Sequence, residues 1–175
     1  VFIAPGNHDA VRHAEPQPAL EKVMVPENDH IHSLGNPAHV EIEGLKTLMY
    51  HGKSIESLVT DIPGLSFARP EEVAIEYLRR RTLAPIYDKN EIAPENRDYL
   101  FVDEVDILYN GHVHKNGYTE YRGTVLLNSG TWLDKNTKWQ LRRGFTPTPC
   151  ILPVYNMKNG RVTHIEFNGD ELKFY

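Results

Sequence analysis

The stretch 105–114 reads "VDILYNGHVH": an apolar run ends at an Asn-Gly pair, and two histidines follow, His112 and His114. A short apolar run bounded by such a turn signal predicts a buried strand. Residues 124–132, "TVLLNSGTW", repeat the arrangement with an Asn-Ser-Gly ending. The repetition predicts a sheet in which polar side chains collect just beyond the strand ends, where sites in α/β sheets are usually found.

The chain opens with a third example of this arrangement. Residues 1–4, "VFIA", predict a buried strand, and "PGNHD" follows, presenting Asn7, His8 and Asp9 in a row. Asn, Asp and Gly are common in turns because they tolerate unusual backbone angles, but a turn has little use for a central histidine. The run Gly-Asn-His-Asp therefore favours a functional loop over a purely structural one.

The remaining patterns predict helices and hairpins around these strands. Alternation over 40–50, bent at Gly44, indicates a hairpin that ends at His51-Gly52. Residues 54–64 predict a short helix with Ser54 as its cap. Residues 69–85, "RPEEVAIEYLRRRTLAP", predict the clearest helix, with Pro70 in its first turn and Pro85 as its stop. Residues 10–21 predict a loop with one short helix, and 85–97 a surface loop.

After Pro149, two Asn-Gly pairs between alternating segments predict a β-hairpin tail over 150–175. Strands alternating with helices and ending in an antiparallel tail predict a layered α/β domain. We expect residues 1–175 to belong to one such domain, with the tail as part of it.

Composition limits the classes of protein. The chain has 175 residues, a formal net charge of −5 and one cysteine, Cys150. The acidic balance argues against a generally basic nucleic-acid coat. A lone cysteine excludes an internal disulfide and fits a cytoplasmic protein, and no apolar run approaches the ~20 residues that span a bilayer. Because the chain starts at Val1 rather than Met, we expect it to be a fragment or a processed chain.

Four polar clusters thus follow strand ends: Asn7-His8-Asp9, His51-Gly52, His112-Val113-His114 and Asn128-Ser129-Gly130. If the strand continued through the two histidines of "HVH", both imidazoles would point to one side of it. Imidazole nitrogen mixed with amide and carboxylate oxygen suits a divalent transition metal. Each cluster also has a plainer interpretation: a lone His-x-His is more often structural, and Asn-Ser-Gly serves equally well as a turn.

Four segments of the sequence resemble the small, proofreading exonuclease subunit of archaeal family D DNA polymerases. They are "APGNHDAVRHAEPQP", "YHGKSIES", "YNGHVHKNGY" and "LLNSGTW". The motifs "GNHD", a strand-end "HG" and "GHVH", in that order, resemble the pattern of the calcineurin-like metallophosphoesterases. The resemblance runs from Phe2 to about Phe167. It implies a layered β-sandwich flanked by helices, of which this chain would be the C-terminal part.

The resemblance also implies roles for individual residues. It implies that one metal ion is bound by Asn7, His51 and His112, and that His114 binds a second. It implies that His8 is the catalytic histidine near the scissile phosphate and that Asp9 orients it. The family's Asp-x-His and Gly-Asp-x-x-Asp motifs do not occur here, so we expect these ligands upstream of Val1.

The implied function is 3′-to-5′ exonuclease activity with two divalent ions, manganese being expected and Mg²⁺, Fe²⁺, Ni²⁺ or Zn²⁺ alternatives. The implied partners are the large catalytic polymerase subunit, single-stranded or frayed DNA, and the sliding clamp, with no membrane. Candidate DNA contacts are Lys53, Lys115, Tyr118 and Trp132, although solubility or core packing would explain each. The alternatives are a metallophosphatase or cyclic-nucleotide phosphodiesterase of the same fold, and a non-catalytic scaffold subunit.

Overall fold

The computed structural model describes residues 1–133, 142 and 146–175. In chain order the strands are β1 (Phe2–Ile3), β2 (His32–Ser33), β3 (Ala38–Ile42), β4 (Leu45–Tyr50), β5 (Ile107–Asn110), β6 (Asn116–Tyr121), β7 (Thr124–Ser129), β8 (Ile151–Asn156), β9 (Arg161–Asn168) and β10 (Glu171–Phe174). The helices are α1 (Ile55–Asp61) and α2 (Pro70–Arg80), and a 3₁₀ turn lies at Lys22–Met24.

The main sheet has five strands in the order β3-β4-β5-β7-β6. Its three central strands, β4, β5 and β7, run parallel, and the two edge strands are antiparallel to them. Leu48, Leu108 and Leu126 lie side by side in this register, and all three are fully buried. Strands covered on both faces are expected to be nearly continuous apolar runs, which explains the sequence pattern.

The two faces of this sheet are covered differently. Helices α1 and α2 pack on one face through buried side chains such as Leu58, Val73 and Tyr77. On the other face, Tyr155 and Val162 of the β8–β10 sheet pack against the main sheet. The result is a helix layer, a mixed sheet and a second sheet, which confirms the predicted layered α/β fold class.

Several predicted elements are confirmed. The β3–β4 hairpin turns at Glu43-Gly44, both with positive φ, and helix α2 begins at Pro70. The tail forms a three-stranded antiparallel sheet, β8–β9–β10, whose turns contain the two Asn-Gly pairs. Among the described residues, no helix is both long enough and apolar enough to cross a membrane.

Other predictions were wrong. Strand β1 is short and not buried, since Phe2 is 36% exposed and β1 pairs only with β2 among the described strands. Residues 10–21 contain no helix. Ser54 stands at the start of α1 but makes no side-chain cap, because its hydroxyl bonds to Tyr77 and to the Leu83 carbonyl instead.

The sequence interpretation also missed strand β6. Its residues, "NGYTEY", are polar and alternate only weakly, because an edge strand with one half-exposed face needs few apolar side chains. Strand β6 nevertheless pairs with β7 along its whole length, which carries the chain from "HVH" back into the sheet.

Replacing Leu108 with alanine should destabilise the fold strongly. The side chain is fully buried on the central strand, so its removal leaves a cavity and should cost about 2–5 kcal/mol in the free energy of unfolding. Urea unfolding would measure this. Val23→Ala is the matched control, because Val23 is 86% exposed and its truncation should change stability by less than about 0.5 kcal/mol. Equal losses in both variants would contradict this core assignment.

Candidate metal centre

A cavity of about 290 Å³ lies beyond the carboxyl ends of β4 and β5. The residues that line it come from four separate segments of the sequence. They are Gly6, Asn7, His8, Asp9, His51, His112, His114 and Leu133. The structure therefore brings together all six residues for which the sequence predicts metal-binding or catalytic roles.

Three donor atoms in this cavity form a compact triangle. Asn7 Oδ1 lies 2.7 Å from His51 Nε2 and 3.2 Å from His112 Nδ1. The two histidine nitrogens are 3.1 Å apart. Adjacent ligands of an ion with bond lengths near 2.1 Å are separated by about 3.0–3.4 Å. The two distances to His112 Nδ1 fall in this range, and the Asn7–His51 distance is a few tenths of an ångström shorter.

The chemistry of the donors also fits a divalent transition metal, because two imidazoles and an amide oxygen make a mixed nitrogen and oxygen set. The third member is the amide of Asn7. Within the described ranges, no group of three His, Cys, Asp or Glu side chains is placed to hold an ion. The residues present thus fit part of one metal site rather than a complete pair of sites.

Glycines make this close approach possible. A Cβ at Gly6 would lie 2.7 Å from the imidazole of His51, a distance real Cβ atoms essentially never show. Gly52 has φ of +99°, a left-handed conformation that favours glycine. The His51 carbonyl accepts a hydrogen bond from the Gly111 N–H at 3.0 Å, which ties the ends of β4 and β5 together.

The two histidines of "HVH" are not on an extended strand, so the condition under which a strand would point both imidazoles to one side is not met. His112 has φ of +69° and His114 has φ of +57°, both in the left-handed region. This conformation is unfavourable for residues with a Cβ and is concentrated at functional sites. The turn, rather than a strand period, aims both imidazoles at the cavity.

The sequence interpretation missed Glu56. Its Oε1 lies 3.0 Å from Nε2 of His112, on the side of the ring opposite the donor triangle. Glu56 is in the first turn of α1, the helix that follows His51-Gly52. The only signal in the sequence was an acidic residue in a first helical turn, which usually complements the helix dipole.

Asp9 makes a different contact from the one the resemblance implies. Its Oδ2 accepts a hydrogen bond from the Gly6 N–H at 2.7 Å and so closes the "GNHD" turn. No hydrogen bond joins Asp9 to His8 among the described side chains. In this structure Asp9 shapes the loop that carries Asn7 and His8.

A buried polar network supports the centre from below. The side chain of Gln17 donates to the Arg12 carbonyl at 3.0 Å and, more weakly, to that of Gly6 at 3.4 Å. Asn36 donates to Gln17 Oε1 at 2.8 Å and accepts from the His51 N–H at 2.7 Å. The Gln17–Asn36 pair therefore links the loop of Asn7 to the strand end of His51.

Glu15 belongs to the same network and is 1% exposed. It accepts a hydrogen bond from the Tyr50 hydroxyl at 3.0 Å. Burial raises the pKa of Glu15 from 4.5 to about 7, and the Tyr50 hydrogen bond and the charge of Lys53 only partly oppose it. Glu15 therefore takes up a proton in the folded state well above the pH at which an exposed glutamate would lose it.

Burial also lowers the pKa values of two histidines in the cavity, His51 and His114. Burial first, and then the neighbouring His112, lowers the pKa of His51 to about 3. Burial, followed by His112 and His8, lowers the pKa of His114. Both imidazoles are therefore neutral at physiological pH, which is the form that binds a metal ion.

The candidate DNA contacts are not among the residues that line the cavity. Lys53 Nζ pairs with Glu91 at 3.6 Å and donates to the His13 carbonyl, and the Tyr118 hydroxyl donates to Glu120. Lys115 is half-buried just after His114. Trp132 is 66% exposed, contacts Phe167 edge-on, and is next to the cavity-lining Leu133.

The fold and this cluster define an α/β domain that carries a candidate transition-metal centre at its strand ends. No family model matches the chain. Over most of its length, however, it is similar to archaeal proteins named DNA polymerase II small subunit.

The relative from Methanocaldococcus jannaschii is 48% identical over 161 residues, covering 90% of this chain and 27% of the relative. That from Archaeoglobus fulgidus is 44% identical over 175 residues, covering 97% and 35%. The chain is thus similar to a part of the DNA polymerase II small subunits and spans about a third of their length or less, as the resemblance in sequence indicated.

Solved structures with a partial likeness include a zinc complex of Vps29 from Entamoeba histolytica, at 20% identity and a TM-score of 0.44. This match covers 85% of the present chain and 64% of Vps29. An archaeal phosphodiesterase matches 80% of the chain, at 16% identity and a TM-score of 0.38, and 55% of its own chain is covered. Likenesses at this level say nothing about activity.

Glu15→Gln should remove a pH dependence of stability. The raised pKa means that the folded state keeps a proton between about pH 4.5 and 7 that the unfolded state has lost. Stability from this group is therefore complete below pH 4.5 and is lost as pH rises through 7. Urea unfolding at several pH values should show wild type losing up to about 1.4 kcal/mol per pH unit relative to the variant.

The matched control is Glu21→Gln, an exposed glutamate of the same chain region. Its stability should follow that of wild type at every pH. A difference between wild type and Glu15→Gln that stays constant from pH 5 to pH 7 would contradict the buried, protonated state of Glu15.

Proposed function

We propose that this chain is part of a metal-dependent phosphodiesterase that removes nucleotides from the 3′ end of DNA, as the exonuclease subunit of an archaeal DNA polymerase. The observation that carries the proposal is the donor triangle of Asn7, His51 and His112, with His8 and His114 in the same cavity. The relationship to polymerase small subunits favours DNA over other phosphate esters.

In this proposal Asn7, His51 and His112 hold one divalent ion, and His114 contributes to a second. The second ion needs oxygen ligands beyond those in this chain, which the family resemblance places upstream of Val1. Bound divalent ions would supply Lewis acidity and a water of lowered pKa. Manganese is the ion that the family resemblance implies, and a set of imidazoles with an amide oxygen suits it.

The residues of the chain itself would bind and protonate the substrate. His8 lines the cavity, and in this proposal it donates a proton to the leaving 3′ oxygen. Asp9 fixes the turn that presents His8. Lys53 and Lys115 would contact backbone phosphates, and Trp132 would stack on a base of a frayed strand.

We also propose binding partners for the full-length protein. The relatives are named as small subunits, which implies a larger subunit beside each of them. We therefore expect the full-length protein to assemble with a large catalytic polymerase subunit. A scaffold role could coexist with catalysis. Binding to the sliding clamp and to single-stranded DNA remains a prediction.

His8→Ala in the full-length protein should lower the turnover number by about 10²–10⁴-fold, the usual contribution of a general acid. Metal content should stay near that of wild type, because His8 is outside the donor triangle. Turnover would be followed on a labelled oligonucleotide and metal content by mass spectrometry. His30→Ala, in an exposed loop, is the control and should behave as wild type. Undiminished turnover of His8→Ala would exclude the acid role.

The substrate class can be tested directly. Metal-free full-length protein should be inactive and should regain activity with Mn²⁺. On a 5′-labelled single-stranded oligonucleotide it should produce a ladder shortened from the 3′ end. A small phosphomonoester should be a much poorer substrate. Preference for the monoester would favour the phosphatase alternative, and no hydrolysis of either would favour the scaffold.

A further inference from the structure

The two ring nitrogens of His112 face different surroundings. Nδ1 points into the donor triangle, 3.2 Å from Asn7 Oδ1 and 3.1 Å from His51 Nε2. Nε2 points away from the triangle, 3.0 Å from Glu56 Oε1. An ionised carboxylate only accepts hydrogen bonds, so the proton of a neutral His112 ring belongs on Nε2. The lone pair of Nδ1 then faces the triangle.

We infer that Glu56 is a positioning residue for this centre: it fixes the tautomer and the ring orientation of His112, so that Nδ1 is the atom offered to the ion. The inference rests on the proposed metal site and deepens it. Carboxylates that accept a hydrogen bond from a metal-binding histidine typically strengthen metal affinity 10–100-fold.

Glu56 is held by a rigid element. Two other residues of α1, Ile55 and Leu58, are fully buried. They anchor the helix on the main sheet. The helix therefore carries the carboxylate to a fixed position. His112, in contrast, sits on a turn with φ of +69°, outside the helices and strands.

The contact between Glu56 and His112 differs from an ordinary ion pair on the protein surface. The side chain of Glu56 is 35% exposed, and exposed pairs typically contribute little to stability. The side chain of His112 is only 6% exposed, however, so its Nε2–H has few alternatives to the carboxylate. Loss of Glu56 should therefore affect the metal site more than the stability of the fold.

The test compares Glu56→Ala and Glu56→Gln in the full-length protein. Gln keeps an oxygen that can accept from Nε2–H, whereas Ala removes the acceptor. Asp61→Ala is the control, because Asp61 is an exposed acid on the same helix. Metal-free protein would be titrated with Mn²⁺ by calorimetry. Nitrogen NMR of ¹⁵N-histidine protein, with His112→Asn used for assignment, would give the tautomer.

We expect Glu56→Ala to weaken Mn²⁺ binding by about 10–100-fold and to lose the pure Nε2–H tautomer of His112. Glu56→Gln should recover most of both, and Asp61→Ala should match wild type. Unchanged affinity and tautomer in Glu56→Ala would overturn the inference, as would equal losses in Glu56→Ala and Glu56→Gln. If wild type bound no Mn²⁺, the proposed function would fail. The tautomer of His112, measured in the metal-free protein, would still decide the role of Glu56.

Discussion

The alignment of three parallel strands is the constraint on which the rest of this structure depends. Leu48, Leu108 and Leu126 pack side by side on β4, β5 and β7, and a shift of one residue would turn each of them from the helix layer to the opposite face. The same register sets Tyr50, Asn110 and Asn128 level at the strand ends. His51 and the turn before His112 therefore leave the sheet beside each other.

The cluster at these strand ends is unfavourable for folding on its own. His51 is crowded by other imidazoles and is largely removed from water, which lowers its pKa to about 3. His112 and His114 have left-handed backbone angles as well. Strain and repulsion that the fold tolerates at one place are typical of functional sites, and here they hold donor atoms in position for a charged ligand.

Much of the site could be predicted from the sequence, because its residues follow recognisable strand ends. The family resemblance groups Asn7, His51 and His112 as ligands of one metal ion, and the structure places these three side chains in contact. Glu56 could not be found in this way, since its contact with His112 spans 56 residues and its local pattern is that of an ordinary helix start.

The fold was predicted unevenly for similar reasons. Strongly apolar strands such as β5 and β7 carry a clear pattern, whereas the half-exposed β6 does not. Ser54 has the identity of a helix cap, but its hydroxyl is used by Tyr77 and Leu83 from distant parts of the chain. Tertiary contacts of this kind override local preference, and a single sequence does not reveal them.

The close fit of His51 over Gly6 has a consequence for interpreting sequences. One methyl group at residue 6 would meet the imidazole at 2.7 Å and push it out of place, although every donor residue would still be present. A homologous sequence with alanine at position 6 would keep all six polar residues that line the cavity. Its metal centre would nevertheless be distorted. Inactive members of such a lineage could therefore escape detection when only the ligands are counted.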